Sequence, residues 1–250
     1  MNHLFRSFFA CAGLAIAMLV FSSCTDESNP LFSAGNFDFA DGVIYDKTDG
    51  DNDGSEGRMN YNGYAYKVVR IGTQWWMAEN LQATKYNDGE EIPRVSDGDA
   101  WSDLTTGGRC DYNNDPDIAD EYGKIYNWFA VNTGKLAPPG WHVPTDAEWA
   151  TLRDYLGGGL AAGKPLKESG AKHWKPSNTG NNASGFTAFG AGGRLDFGPF
   201  YSLLDNAFFW ASTSSGSDNA IYYTLICASN RFVGYEDDKT AGYSVRCVQD

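Results

Sequence analysis

Histidine, cysteine and methionine are scarce in this chain, at three, five and four residues out of 250. That scarcity limits the chemistry. His142 and His173 are the only histidines beyond the N-terminal His3, and neither sits beside a pair of cysteines, so a zinc centre has too few ligands. The sequence has no Ser/His/Asp order, no phosphate-binding glycine loop and no dinucleotide fingerprint. Basic residues are also in deficit, with 19 Lys and Arg against 32 Asp and Glu, a formal charge of −13. A surface this acidic repels phosphate backbones, which excludes nucleic acid as a partner, and it repels anionic headgroups too. The apolar run from Phe8 to Phe21 is too short to span a bilayer.

That run nevertheless defines the first 23 residues. A start with one basic residue, Arg6, then the apolar stretch and Ser22-Ser23 ahead of Cys24, has the layout of a secretory leader. Leu19-Val20-Phe21-Ser22-Ser23-Cys24 resembles a lipobox, in which the cysteine is acylated and becomes the first mature residue, so Cys24 is the expected lipidation site. Removing Arg6 with the leader leaves 18 basic against 32 acidic residues, a charge of −14. Membrane attachment is therefore expected through acyl chains and not through a basic face. Thr25-Asp26-Glu27-Ser28 resembles the surface-export signal of Bacteroidota lipoproteins, which implies an outer-membrane protein facing the cell surface. Residues 24–40 read as a tether and 41–250 as the working domain.

Glycine is abundant, at 29 residues, and aromatics make up 15 % of the chain, which predicts a loop-rich domain with an aromatic core. Residues 41–63 form an acidic loop or hairpin insertion; Tyr64–Ile71 and Gln74–Met77 form a hairpin. Apolar spacing at Ile125, Trp128, Phe129 and Val131 predicts one helix over about 122–134, and Trp149, Leu152 and Leu156 predict a second, stopped by Gly157-Gly158-Gly159. Short strands near 186–189, 208–213, 221–227 and 243–249 complete an α+β domain.

GWHVPTDAEW, at 140–149, puts His142, Asp146 and Glu148 close together. Thr145-Asp146-Ala147-Glu148 is also a capping box, with Asp146 placed for the helix dipole, so both acids have structural work. Asp49, Asp51, Asp53 and Gly54 match the first half of a calcium loop. Asn60 stands where a closing glutamate belongs, so Glu56 would have to supply the last ligand, and a solvated acidic tip is the plainer reading. Asp111, Asn113, Asn114, Asp115 and Asp117 make a second oxygen-rich loop. Phe197, Phe200, Tyr201, Phe208, Phe209 and Trp210 suit a core, or stacking on sugars. Loops at 198–206, 214–220 and 229–242 offer the best ligand surface, with Trp210, Tyr222 and Tyr235 as its candidate contacts. Cys110, Cys227 and Cys247 remain in a disulfide-permissive compartment; Cys110–Cys247, Cys227–Cys247 and no bridge are all open.

Several blocks together, YKVVRIGTQWWMAENL at 66–81, CDYNND at 110–115, YGKIYNWFAV, PPGWHVPTDAEWATL, Ser184-Gly185-Phe186 with Gly192-Gly193-Arg194, and FWASTS ending in GYSVRCV, resemble the Fibrobacter succinogenes major paralogous (FISUMP) domain family. The resemblance implies a secreted or surface lipoprotein and a Cys110–Cys247 disulfide, with Cys227 as an extra. PTDAEW and the late GYSVRC strand also resemble the formylglycine-generating-enzyme and C-type-lectin-like folds, implying a twisted antiparallel sheet with two flanking helices and long loops. A copper oxidase of that kind needs paired thiols, which only Cys227 and Cys247 could supply. The sugar-binding tripeptides of calcium lectins are absent. The expectation is a surface-anchored, non-catalytic protein that binds a glycan or protein ligand, with an enzyme on this fold or a structural envelope subunit as the other readings.

Overall fold

In the computed structural model the described residues are 40–45 and 54–250, which fall within one compact unit, Phe39–Asp250. Cys24, Asp49, Asp51 and Asp53 lie outside the described residues.

The fold is α+β and mostly sheet. Six strands form the smaller sheet: β1 (Ile44–Tyr45), β2 (Glu56–Tyr61), β3 (Tyr64–Ile71), β4 (Gln74–Met77), β7 (Trp141–His142) and β14 (Val248–Gln249), in the order β1-β2-β3-β4-β14-β7. The described part of the expected 41–63 insertion is strand, since β1 pairs with β2 and β2 with β3. The larger sheet runs β12 (Phe232–Asp238), β11 (Asn219–Ile226), β10 (Asn206–Ser214), β8 (Ala191–Arg194), β13 (Gly242–Tyr243), β6 (Ile125–Asn127) and β5 (Arg109–Cys110), with β9 (Phe200–Leu203) paired to β8. All its pairings are antiparallel except β8 with β10.

Five short helices join them: α1 (Gly98–Ser102), α2 (Pro116–Tyr122), α3 (Trp128–Asn132), α4 (Asp146–Tyr155) and α5 (Gly163–Leu166). The expected helix over 122–134 is two elements. Ile125–Asn127 is strand, and Asn127 then caps α3 by accepting from the Ala130 N–H at 3.1 Å. Residues 87–120, rich in Gly, Asp, Asn and Pro, contain α1 and much of α2. The expected strand at 186–189 appears instead at 191–194.

Helix α4 forms where the capping box predicts. The Thr145 hydroxyl accepts from the Glu148 N–H at 3.3 Å, and the Glu148 carboxylate accepts from the Thr145 N–H at 2.8 Å. Its inner face carries Trp149 into a cluster containing Trp76 of one sheet and Phe209, Tyr223 and Phe232 of the other. This one indole joins both sheets, and its ring lies 4.7 Å from Trp76 and 5.6 Å from Tyr223.

Four basic side chains are spent inside the fold, each facing backbone carbonyls. Arg194 Nε donates to Gly198 O, and its other nitrogens donate to Val95, Ser96 and Asp97 carbonyls at 2.8–3.0 Å. Arg246 binds Asn80, Met77, Phe186 and Thr187. Lys167 Nζ donates to three carbonyls of residues 226–229 and to the Thr179 hydroxyl, and burial lowers its pKa to about 8. Lys239 ties Gly216 and Ser217 and lies over Trp128. Loops that have few ladder bonds of their own are held by these cations.

Candidate functional site

The face of β10–β12 opposite α4 collects tyrosines because of strand register. Trp210 of β10 stands opposite Tyr222 of β11, and Tyr222 opposite Tyr235 of β12. Side chains directly across a sheet share a face, so the three form a row. Trp210 is fully buried, with its Nε1–H donated to Tyr126 O at 2.9 Å; it is removed from the expected ligand surface because β10 is an interior strand covered on both sides. Tyr222 is half-buried and Tyr235 is 48 % exposed. Their rings are 6.1 Å apart and tilted by only 34°.

Two further tyrosines extend the row. Tyr201 of β9 is partly exposed and packs on Phe208 at 5.2 Å, while Tyr243 of β13 lies beneath, 4.9 Å from Tyr222. The Tyr201 and Tyr243 hydroxyls are 3.0 Å apart, and the Tyr243 hydroxyl donates to the Asp237 carboxylate. Gly192, at φ +63°, and Gly193 permit this approach: a Cβ on the first would run into the Tyr201 carbonyl, and on the second would press the Tyr243 ring at 2.9 Å. Burial and the Asp237 charge push the Tyr222 phenol up to about 12. Among the described residues, the Tyr222 and Tyr235 hydroxyls have no hydrogen-bond partner. Asp237 and Tyr243 were not foreseen as site residues. Period-2 spacing from Tyr235 carried the signal for Asp237, whereas Tyr243 required the fold.

The other expected sites resolve differently. Cys110, Cys227 and Cys247 are free and buried, and they sit in three separate core clusters, so the expected Cys110–Cys247 bridge is not formed. Burial raises the Cys110 thiol to about 12 and pushes the Cys247 thiol above its usual value. Cys227 and Cys247 are likewise not brought together as a metal-binding pair. Glu56 opens β2 at the surface and lines a polar cavity of about 310 Å³ with Arg58, Lys67, Asn182 and Thr187. The Asn182 amide there is bonded to Thr187 through both its oxygen and its nitrogen, so this asparagine is structural. In the second oxygen-rich loop, Asp111 pairs with Arg94 at 2.7 Å and Lys124 at 3.3 Å, and Asp115 caps α2, so those oxygens are already used.

His142 has work after all. Its Nε2 meets Glu148 at 2.8 Å and its Nδ1 meets Asp250 at 2.6 Å, clamping β7 to α4 and to the last strand. Burial opposes the charged ring, but the two carboxylate bonds outweigh it and raise its pKa above the ordinary 6.5. Burial also opposes the Glu148 charge, and the Thr145 and His142 bonds outweigh that, lowering it below 4.5. The histidine's contribution is full below about 6.5 and is lost as pH rises through its raised value. The glutamate's contribution is full above about 4.5 and is lost as pH falls through its lowered value. His142→Gln should therefore lower Tm most between about pH 4.5 and 6.5, with the deficit shrinking at alkaline pH, as thermal melts across pH will show.

The fold and its motif blocks define an α+β domain in which the most recognisable residues build scaffold and one tyrosine-rich sheet face is left open. The chain matches the Fibrobacter succinogenes major domain over residues 69–249, and it belongs to that family. No curated protein and no solved structure matches it. No helix among the described residues is long and apolar enough to cross a membrane.

Proposed function

We propose that this protein is a lipid-anchored, non-catalytic glycan-binding protein of the outer membrane, facing the cell surface. The carrying observation is the row of Tyr201, Tyr222 and Tyr235, open to solvent on one sheet face, with two hydroxyls that bond to no described residue. Neighbouring rings set side by side by strand register, Tyr222 and Tyr235 at a tilt of 34°, offer apolar faces for sugar rings, and phenol hydroxyls and the Asp237 carboxylate supply polar contacts at their edge. The C-type-lectin-like reading belongs with this proposal, supported by α4 packed on a curled sheet and by ligand-side loops held by buried cations. The anchor is supported by the leader and Cys24, so Cys24→Ala should move the protein from the membrane to the soluble fraction. Retention in the membrane would exclude the anchor.

Screening the full chain on a glycan array and titrating the hits tests the site. Tyr235→Ala is expected to weaken binding about tenfold. Tyr155→Ala, an exposed aromatic on α4 against the opposite face, should leave binding unchanged. A silent array would favour a structural envelope subunit.

A further inference from the structure

The tyrosine row has a charge of one sign. Asp237 stands two residues from Tyr235 on the same face of β12, its carboxylate bonded to the Tyr243 hydroxyl and to the Asp238 N–H at 2.9 Å. It forms no ion pair with any described residue. The charges that act most strongly on Tyr201, Tyr222 and Tyr243 are other tyrosines and the carboxylates of Asp237 and Asp196. Lys239, the nearest basic residue in sequence, is turned away and bound to Gly216 and Ser217. The protein has 13 more acidic than basic residues, and only some of its carboxylates have a basic partner. Asp111, Glu148, Glu168, Glu121 and Asp205 each face a basic or imidazole group, and Asp237 does not.

An uncompensated carboxylate at the edge of exposed aromatic faces attracts a cation twice over, by charge and by the ring quadrupoles. Tyr222 and Tyr235 stand side by side at a tilt of 34°, and Tyr243 is buried beneath Tyr222, so the exposed surface is an open strip, not a box around a lone ammonium. An open strip suits a ring that stacks and carries its positive charge at the rim. We propose that the platform selects amine-bearing glycans, with the sugar stacked on Tyr222 and Tyr235 and its protonated amino group set against the Asp237 carboxylate. This rests on the glycan-binding reading of the same face and adds the class of sugar.

Hexamers of glucosamine and of N-acetylglucosamine differ only in whether each ring bears a protonated amine or a neutral amide. Calorimetric titration of the full chain in weakly acidic buffer, at low and high salt, is expected to show about tenfold tighter binding of the glucosamine hexamer at low salt. That preference should shrink as salt is added and disappear in Asp237→Asn, which keeps an acceptor for Tyr243. Equal affinities for the two hexamers in the unaltered protein, or a preference that survives both salt and Asp237→Asn, would overturn the selectivity while leaving glycan binding standing. If neither hexamer binds, or if Tyr235→Ala changes neither, the platform itself is wrong and the selectivity fails with it. An oligolysine peptide that binds more tightly than the glucosamine hexamer would overturn the proposal in favour of a basic protein ligand.

Discussion

Arg246→Lys should cost the protein about 3–5 kcal/mol, even though the substitution keeps the charge. The guanidinium is fully buried. Its Nε donates to Asn80 Oδ1 at 2.6 Å, Nη1 to Met77 O at 3.0 Å and Phe186 O at 2.7 Å, and Nη2 to Thr187 O at 3.0 Å. One planar fork thus holds the end of β4, the turn at Asn80 and the segment leading to β8. The plane also stacks on Phe186, 4.6 Å from the ring centre. A lysine ammonium cannot reach acceptors spread in this way, and each buried acceptor left without a donor costs about 1–3 kcal/mol. Burial, only partly offset by the Glu79 charge, lowers the Arg246 pKa to about 9, so the group is still charged at neutral pH and its hydrogen bonds persist there. Urea unfolding will check the loss, with Arg231→Ala, at an exposed position just before β12, expected to stay within about 0.5 kcal/mol. A near-neutral Arg246→Lys would mean that this cation does not hold the loops.

Trp149→Ala is expected to cost about 3–5 kcal/mol, against about 1 kcal/mol for Thr145→Ala four residues earlier. Both residues belong to the stretch in which His142, Asp146 and Glu148 suggest catalysis. The threonine supplies one cap for α4. The tryptophan has no exposed surface, touches the rings of Trp76, Phe186, Phe209, Tyr223 and Phe232, and donates to the Trp210 carbonyl at 3.4 Å. Truncating it opens a cavity where the two sheets meet, and a rigid aromatic surround cannot collapse to fill the space. Thermal and urea unfolding of the two variants will show whether the loss has this order. A smaller loss for Trp149→Ala than for Thr145→Ala would contradict the packing argument.

Local signals in the chain were readable where local physics decides the outcome. The β3–β4 hairpin, the α4 capping box and strands β10 and β11 follow from alternation, a cap and apolar runs. The region 122–134 misleads because Ile125, Trp128, Phe129 and Val131 fit a helical stripe, while Asn127 in the middle is an N-cap that ends the strand and starts α3. Trp210 suits either a core or a ligand surface by composition alone. The continuous run Ala207–Ala211 carried the deciding signal, because a strand buried on both faces shows no alternation. The roles of Arg194, Arg246, Lys167 and Lys239 could not be read at all, since basic side chains default to the surface and their carbonyl partners are distant in sequence. The cysteine pairing failed for a similar reason: Cys110 lies with Trp101 and Ile125, and Cys247 with Met77 and Leu81, in different parts of the core. Tyr222 and Tyr235 were candidates from the sequence, but their partnership with Tyr201, Tyr243 and Asp237 depends on cross-strand register that only the fold supplies.

The most direct test of the binding face is an NMR titration of the full chain with a glycan hit, following the aromatic side chains. Shifts concentrated on Tyr201, Tyr222 and Tyr235, with the ring of Trp149 unmoved, are the predicted result. Shifts centred instead on the cavity of Glu56, Arg58, Lys67 and Asn182, or spread evenly over the surface, would contradict it.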